Sequence, residues 1–142
     1  MTRDEVVRLL DEWHVQLAKQ DAAGLARLYS SDCTVISPIF GDLKGRSAVE
    51  ASNRRLYEAF PDWDMRTDGE LIIDGDRVAQ VFKVTATHAG EFMGLPGTGR
   101  KAQIHGARII RFENGLIKEE LRLYDFTLLL MQVGVLRGKP GH

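Results

Sequence analysis

Apolar residues in the N-terminal part of the chain recur every three to four positions, the spacing of an amphipathic helix. The first such stripe consists of Val6, Leu10, Trp13 and Leu17. It follows a capping box at Thr2–Glu5, so we predict a helix from there to about Lys19. Asp21 is a typical N-cap for a short second helix, and the β-branched run Cys33–Ser37 predicts a strand.

A third helix is predicted before the chain changes to strands. Ser47–Glu50 has the sequence of a second capping box, and Pro61 marks the end of the helix that it would begin. The inner stripe of this helix consists of Val49, Asn53, Leu56 and Phe60. Asn53 is therefore a polar residue on an apolar stripe, where it could orient a ligand or bond to a neighbouring backbone group.

From Asp64 onward the apolar positions alternate, which is the period of a strand. The predicted strand segments are Met65–Ile73, Arg77–His88, Lys101–Glu113 and Leu116–Asp125. Tight turns around Gly75 and at Asn114-Gly115 join them into two hairpins, and a glycine-rich loop at residues 90–100 connects the hairpins. A last helix is predicted from Thr127 to about Val133.

Helices followed by an antiparallel meander indicate an α+β fold and exclude an alternating βαβ fold. We expect a curved antiparallel sheet wrapped around the N-terminal helices, because the sheet must bury one face. No linker divides the chain, so residues 1–142 are interpreted as a single domain whose tail, from about residue 136, is flexible.

The Asn114-Gly115 turn predicts the register of the second hairpin, provided that no bulge intervenes. Ile104 then pairs with Asp125, and Arg108 pairs with Leu121. The core face of the last strand is predicted to carry Ile117, Glu119, Leu121, Leu123 and Asp125. The outer face is predicted to carry Lys118, Glu120 and Arg122.

Polar residues interrupt this apolar wall and are the candidates for chemistry. They are Asp125, His88 and Asn53, together with Arg108, which is paired with Glu119 in this interpretation. An apolar pocket with a few convergent polar groups is the usual form of a small-molecule site. A partly desolvated Asp125 would be a stronger base than a surface carboxylate, but it could instead cap the last helix.

Other residues have two interpretations each. The unbroken register places His105 on the outer face, whereas a bulge at Gly106 would turn it inward. Met65, Phe92 and Met93 could be ordinary core or loop hydrophobes, or they could line a pocket for a flat ligand. Arg108 and Glu119 could form a structural pair instead of a catalytic one.

Composition excludes several classes of partner. The chain has 142 residues and a formal net charge of −1, so it lacks the basic excess of a nucleic-acid-binding protein. No apolar run approaches the ~20 residues of a membrane span, and no secretory signal is visible, so we expect a cytoplasmic protein. Cys33 is the only cysteine, and no histidines and carboxylates have metal-ligand spacing, so neither a disulfide nor a metal site is expected.

Four segments resemble the SnoaL-like polyketide cyclases. They are Phe60–Trp63, His88–Arg100, Phe112–Glu119 and the Tyr124-Asp125 pair that precedes a helix ending in Gln132-Val-Gly. The resemblance covers about Asp21 to Val135. It implies the cystatin-like α+β cone of nuclear transport factor, ketosteroid isomerase and scytalone dehydratase, with a deep pocket inside a curved sheet.

The best-known members of that family close a ring of a polyketide ester by aldol condensation without metal or cofactor. The resemblance implies that Asp125 is the general acid/base and that His105 or His88 assists it. One departure concerns the loop, where this chain has Pro96-Gly97 and the family usually has two prolines. The resemblance thus implies a looser loop over the pocket.

The leading hypothesis is a cofactor-free enzyme that acts on a small, largely apolar carbonyl compound. Asp125 moves the proton, a histidine stabilises the oxyanion, and Asn53 orients the ligand. An epoxide hydrolase- or ketosteroid isomerase-like activity is the first alternative; the hydrolase would need two acids bridged by an arginine. A non-catalytic binding or dimerisation module is the second, and it predicts Asp125 bonded to helix amides. We also expect a homodimer through the outer face near Ile109 and Tyr124.

Overall fold

The computed structural model describes residues 1–136, and the helices and strands follow the predicted order. The helices are α1 (Arg3–Ala18), α2 (Ala22–Ala26), α3 (Arg46–Ala59) and α4 (Phe126–Gln132). The strands are β1 (Tyr29–Ser37), β2 (Gly41–Lys44), β3 (Asp64–Thr67), β4 (Ile72–Asp74), β5 (Arg77–Thr87), β6 (Lys101–Glu113) and β7 (Leu116–Tyr124). The predicted flexible tail lies almost entirely outside the described residues.

The strands form one seven-stranded sheet in the order β2-β1-β7-β6-β5-β3, with β4 also paired to β5. The expectation of a purely antiparallel sheet is wrong in one place, because β1 runs parallel to β7. Sequence reasoning also missed β2 and joined β3 and β4 into one strand. The α+β class with a sheet around the N-terminal helices is confirmed.

Two helix starts differ in what determines them. At α1 the predicted capping box is present, since Thr2 Oγ1 accepts from Glu5 N at 3.2 Å and a Glu5 oxygen accepts from Thr2 N at 3.3 Å. The predicted box at Ser47–Glu50 is wrong, because α3 begins at Arg46 after Gly45, whose φ is 87°. The Arg46 guanidinium donates to the Tyr29 carbonyl at 2.7 Å, so a tertiary contact anchors this helix start.

The inner face of the sheet packs against the helices through two apolar clusters. One cluster joins α1 and α2 to the sheet around Val6, Leu25 and Ile110. The other joins α3 and α4 to the sheet around Phe60 and Ile104. A set of partly buried residues packs against both clusters: Phe40, Trp63 and Met65. The candidate site lies between the two clusters.

A β-bulge in β7 decides which side chains face the interior. Phe112 pairs with Ile117 as predicted, but Arg111 pairs with Glu119, so Lys118 is an extra residue in the strand. Because side chains alternate across a strand, this one-residue slip reverses the faces of the rest of β7. Glu120 is 2% exposed and Leu123 is 51% exposed, which is the opposite of the predicted arrangement.

Candidate active site

A small cavity of about 40 Å³ lies inside the sheet. Its apolar walls come from α1, α3, β3 and the segments that follow β1 and α3. They include Trp13, Ile39, Phe40, Leu56, Trp63 and Met65. Its polar residues are Asn53, Arg108, Glu120, Arg122 and Tyr124. An apolar enclosure with few polar groups is the form expected of a small-molecule site.

Arg108 projects from β6 into the interior and is fully buried. Its Nε donates to Gln80 Oε1 at 2.6 Å, and its guanidinium carbon lies 3.6 Å from the centre of the Trp13 ring. Nη1 is 3.5 Å from Glu120 Oε2, which is ion-pair distance without hydrogen-bond geometry. Both Nη nitrogens are buried and have no hydrogen-bond partner within the described residues.

Glu120 is held as a carboxylate between two arginines. Arg122 Nε donates to its Oε2 at 2.6 Å, and the Tyr29 hydroxyl donates to its Oε1. Burial by itself would raise the pKa of Glu120, but the charges of Arg122 and Arg108 and these hydrogen bonds hold that pKa at about 2. Glu120 is therefore ionised at neutral pH.

The cluster as a whole carries a buried positive charge. Arg108 and Arg122 contribute +2 and Glu120 contributes −1, which leaves +1. Tyr29 is neutral, because burial and the neighbouring Glu120 raise its pKa above the usual value. His14, which contacts Gln80, is neutral as well, because burial and the charge of Arg108 lower its pKa to about 4.

Asn53 adds a further unused donor to the same cavity. It lies on the inner stripe of α3 and is 3% exposed, as the sequence predicts. Its Nδ2 is buried and, like the two Nη nitrogens of Arg108, has no hydrogen-bond partner in residues 1–136. Buried donors are almost always satisfied in folded proteins, so these donors are available to an acceptor that enters the cavity, whether water or a ligand oxygen.

The structure brings together three of the residues predicted for the site, Asn53, Arg108 and Met65. Phe92 and Met93 line a neighbouring groove on the other side of Ile39 and Phe40. His88 is buried, as expected, but it contacts Thr98 at 3.1 Å and packs on Phe60, away from the cavity lining.

His105 and Asp125 lie away from the cavity. His105 is exposed on the outer face opposite Lys83, because the bulge occurs at Lys118 and the strand continues unbroken at Gly106. The predicted inward position of Asp125 is wrong for the same reason. Asp125 is exposed and accepts from Leu128 N at 2.9 Å as the N-cap of α4.

The predicted pairing of Arg108 with Glu119 is also wrong. Glu119 faces outward and pairs with Arg111 at 3.0 Å, and Glu120 takes the inner position beside Arg108. An epoxide hydrolase-like site needs two acids bridged by an arginine. The cavity has the reverse arrangement, one acid between two arginines, among the residues that the structure describes.

Sequence reasoning missed Glu120, Arg122, Tyr29 and Gln80 as members of the site. The signal that could have found Glu120 is Arg108 itself, since a buried guanidinium requires a buried carboxylate. Leu121 and Leu123 favoured the unbroken register, because that register buries both leucines and places Glu120 on the outer face. Within residues 1–136, no group of three or more His, Cys, Asp or Glu side chains is arranged to hold a metal ion.

The chain matches one protein-family model, that of the SnoaL-like polyketide cyclases, over residues 5–133. AclR of Streptomyces galilaeus, a proposed hydroxylase, is 28% identical, with a TM-score of 0.83 over 98% of this chain and 87% of AclR. TsrD of Streptomyces laurentii is 21% identical, with a TM-score of 0.84 over 96% of this chain and 99% of TsrD.

A Catenulispora acidiphila protein with a ketosteroid isomerase-like fold, solved with trimethylamine, has a TM-score of 0.74. It is 16% identical and covers 89% of this chain and 92% of its own, so the likeness concerns the fold. It confirms the cone-shaped α+β architecture. None of the curated proteins matches the chain. The helices described here all lack the length and apolar character that a membrane crossing requires.

Proposed function

The chain belongs to the SnoaL-like polyketide cyclase family, and from this premise we propose that it is an enzyme that stabilises the enolate of a polyketide-like carbonyl compound. The proposal rests chiefly on Arg108. Its two Nη nitrogens are buried, have no hydrogen-bond partner among the described residues and adjoin an apolar cavity, within a cluster of net charge +1. A preorganised cation in a water-poor site stabilises a developing oxyanion far better than the same cation in water.

Substrate binding would use the unpaired donors directly. A carbonyl oxygen accepts from Arg108 and from Asn53 Nδ2, which satisfies the donors that the protein leaves free. The apolar side chains of Leu56, Trp63 and Met65 enclose the rest of the ligand. Polarisation of the carbonyl by Arg108 makes the neighbouring C–H bond more acidic.

Glu120 is the proton acceptor in this scheme, in place of Asp125 and the two histidines expected from the sequence. It is the one carboxylate among the described residues that line the cavity. The charges of Arg122 and Arg108 hold its pKa at about 2. As the enolate oxygen forms, it competes for Arg108, and the basicity of Glu120 rises because part of that attraction is withdrawn.

Ring closure then follows without an external reagent, as the family resemblance implies. The enolate carbon forms a bond to a second carbonyl carbon of the same substrate, and the C=O electron pair moves to oxygen. That alkoxide takes the proton back from Glu120. Proton removal and return are therefore balanced within one turnover, and the carboxylate is regenerated.

Hydroxylation is the second candidate reaction, favoured by the 28% identity to AclR. It would begin from the same stabilised anion, so it makes the same demand on Arg108. The two reactions differ in their balance, because hydroxylation consumes an oxidant whereas ring closure does not. Oxygen consumption during turnover distinguishes them.

The test uses 2-naphthol, whose ionised oxygen mimics an enolate and whose absorbance band moves to longer wavelength on ionisation. We expect bound 2-naphthol to ionise about 1–3 pH units lower than in water, as an acid does beside a buried opposite charge. Arg108→Met should abolish this change, whereas Arg111→Met, at a surface ion pair, should leave it intact. A bound 2-naphthol that ionises equally with and without Arg108 would refute the proposal.

We propose that the enzyme is cytoplasmic and homodimeric, as expected from the sequence. Of the two residues expected at the dimer face, Ile109 lies on the outer face, whereas Tyr124 lines the cavity. Support for a second copy comes from the outer face of the sheet. Exposed apolar side chains occupy neighbouring strands there: Ile36, Val81, Ile109 and Leu123. Apolar side chains contiguous across strands are more typical of an interface than of a free surface.

A further inference from the structure

Gln80 lies directly opposite Arg108 in the sheet. The two residues are cross-strand partners of β5 and β6, and both side chains are buried on the inner face. Arg108 Nε donates to Gln80 Oε1 at 2.6 Å, and the Trp13 ring covers one face of the guanidinium. The guanidinium is therefore held by one edge and one face. Its two Nη nitrogens have no hydrogen-bond partner among the described residues, so they are the donors left for a ligand.

The contact with Arg108 determines which way the Gln80 amide faces. An arginine has donors only, so the Gln80 atom that meets Nε must be the amide oxygen. The amide nitrogen then faces the opposite way, where it lies 2.6 Å from Thr67 Oγ1 of β3 and 2.8 Å from His14 Nε2 of α1. Since an amide nitrogen only donates, Thr67 Oγ1 and His14 Nε2 are both acceptors.

The same reasoning assigns the ring proton of His14. Because His14 Nε2 accepts from Gln80, it carries no proton, and the single proton of the neutral ring is on Nδ1. The ring is neutral at pH 7, since burial and the charge of Arg108 lower the pKa of His14 to about 4. Asp11 and the Met65 backbone have smaller, opposing effects on this pKa. A chain of hydrogen bonds with one direction thus runs from Arg108 through Gln80 to His14.

We propose that Gln80 is a positioning residue that holds Arg108 with both Nη nitrogens free for the ligand. His14 and Thr67 act through it, because they fix the orientation of its amide. This inference rests on the proposed function, in which Arg108 binds the developing oxyanion. Without the Gln80 oxygen, the guanidinium can rotate and turn two nitrogens toward Glu120, whose Oε2 lies 3.5 Å from Nη1. Arginine and carboxylate groups favour such a two-bond geometry, which would leave fewer donors for the ligand.

The first measurement is the tautomer of His14 at pH 7, by nitrogen-15 NMR. The protonated and unprotonated nitrogens of a neutral imidazole have well-separated chemical shifts, and His14→Asn identifies the signals that belong to His14. In the wild type we expect a proton on Nδ1 and none on Nε2. Gln80→Glu should place a proton on Nε2, because the carboxylate still accepts from Arg108 but offers no N–H to the ring.

The second measurement is the ionisation of bound 2-naphthol in Gln80→Met and Gln103→Met. Methionine matches the length of glutamine but lacks the amide, and it leaves the charges of the cluster unchanged. We expect Gln80→Met to bind ionised 2-naphthol about tenfold less tightly, as when one hydrogen bond between charged groups is lost. Ionisation of the bound probe then occurs about one pH unit higher than in the wild type. Gln103→Met should change nothing, because Gln103 is exposed on β6 and bonds to Gln132 through its backbone.

The proposal is overturned if wild-type His14 carries its proton on Nε2, or if Gln80→Glu leaves Nε2 unprotonated. It is also overturned if 2-naphthol bound to Gln80→Met ionises at the wild-type pH. A purely structural role for Gln80 predicts that last result, since the charge of Arg108 is still present. Gln80→Glu keeps the shape of the side chain, so the tautomer test applies even if Gln80→Met fails to fold. Failure of the proposed function has a different signature, because there Arg108→Met itself leaves the ionisation of 2-naphthol unchanged.

Discussion

Glu120→Gln removes a buried negative charge from between two buried positive ones. In the folded protein Glu120 receives hydrogen bonds from Arg122 and Tyr29 and lies 3.5 Å from Arg108 Nη1. Glutamine has nearly the same shape, so packing is preserved and the charge alone changes. The guanidinium groups of Arg108 and Arg122 then remain in the interior without a counter-charge.

The expected cost follows from the pKa of Glu120. Folding lowers it from 4.5 to about 2, because the arginines overcome the opposing effect of burial. Each pH unit corresponds to about 1.36 kcal/mol, so the ionised form stabilises the fold by about 3 kcal/mol. Breaking a buried ion pair by removing one partner costs roughly 3–5 kcal/mol in general, which agrees. Total stabilities are about 5–15 kcal/mol, so the loss is large.

The assay is urea unfolding followed by tryptophan fluorescence at pH 7. With a slope of about 2 kcal/mol per molar urea, a 3 kcal/mol loss lowers the midpoint by about 1.5 M. Glu119→Gln is the matched control. The Glu119 carboxylate pairs with Arg111 on the surface, where solvent screens the pair, so its loss should cost much less than the loss of Glu120. Adding Arg108→Met to Glu120→Gln should restore part of the loss by removing one unpaired cation.

The dependence of stability on pH below 4.5 provides a second, independent test. The folded-state pKa of Glu120 lies below its unfolded value, so its stabilisation is complete above pH 4.5 and is lost as the pH falls toward 2. Glu120→Gln should lose this part of the acid dependence. The reasoning is refuted if Glu120→Gln costs no more than Glu119→Gln and the wild type and variant unfold in parallel between pH 4.5 and 2.

Three further predictions concern residues around the cavity and on the outer face. Folding lowers the pKa of His14 from 6.5 to about 4, so its contribution to stability is complete above pH 6.5 and is lost as the pH falls toward 4. In His14→Asn the urea midpoint should therefore depend less on pH between pH 7 and 5 than in the wild type. Asp125→Asn keeps a good N-cap and should retain both stability and 2-naphthol binding. Asp125→Ala should lower the free energy of unfolding by about 1 kcal/mol. Loss of 2-naphthol binding in the asparagine variant, with stability retained, would favour a role for Asp125 in the site. Leu123→Glu should convert the expected homodimer to a monomer in light scattering, and an unchanged mass would exclude this face.

Much of the fold could be predicted because local rules and global packing agree. The Thr2–Glu5 capping box and the apolar stripe through Trp13 specify α1 without help from the rest of the protein. The Asn114-Gly115 turn likewise specifies the hairpin of β6 and β7. The inward positions of Asn53 and Arg108 followed from periodicity, which depends only on residue spacing.

The composition of the candidate site could not be predicted in the same way. A single extra residue at Lys118 places Glu120 and Arg122 inside the sheet and Leu123 and Asp125 outside. No local preference distinguishes the two registers, since a bulge arises from pairing with β6 and from the parallel contact with β1. Leucines also favour the opposite register on hydrophobicity alone.

The sequence by itself therefore determined the order of the elements, the α+β class, the family and the presence of a polar group within an apolar wall. The tertiary structure alone decided which acid meets Arg108. Periodicity is a local property that each strand carries, whereas the charge balance of the interior is a property of the assembled core. Glu120 lies inside because Arg108, Arg122 and Tyr29 together compensate its desolvation, and these partners come from three separate strands.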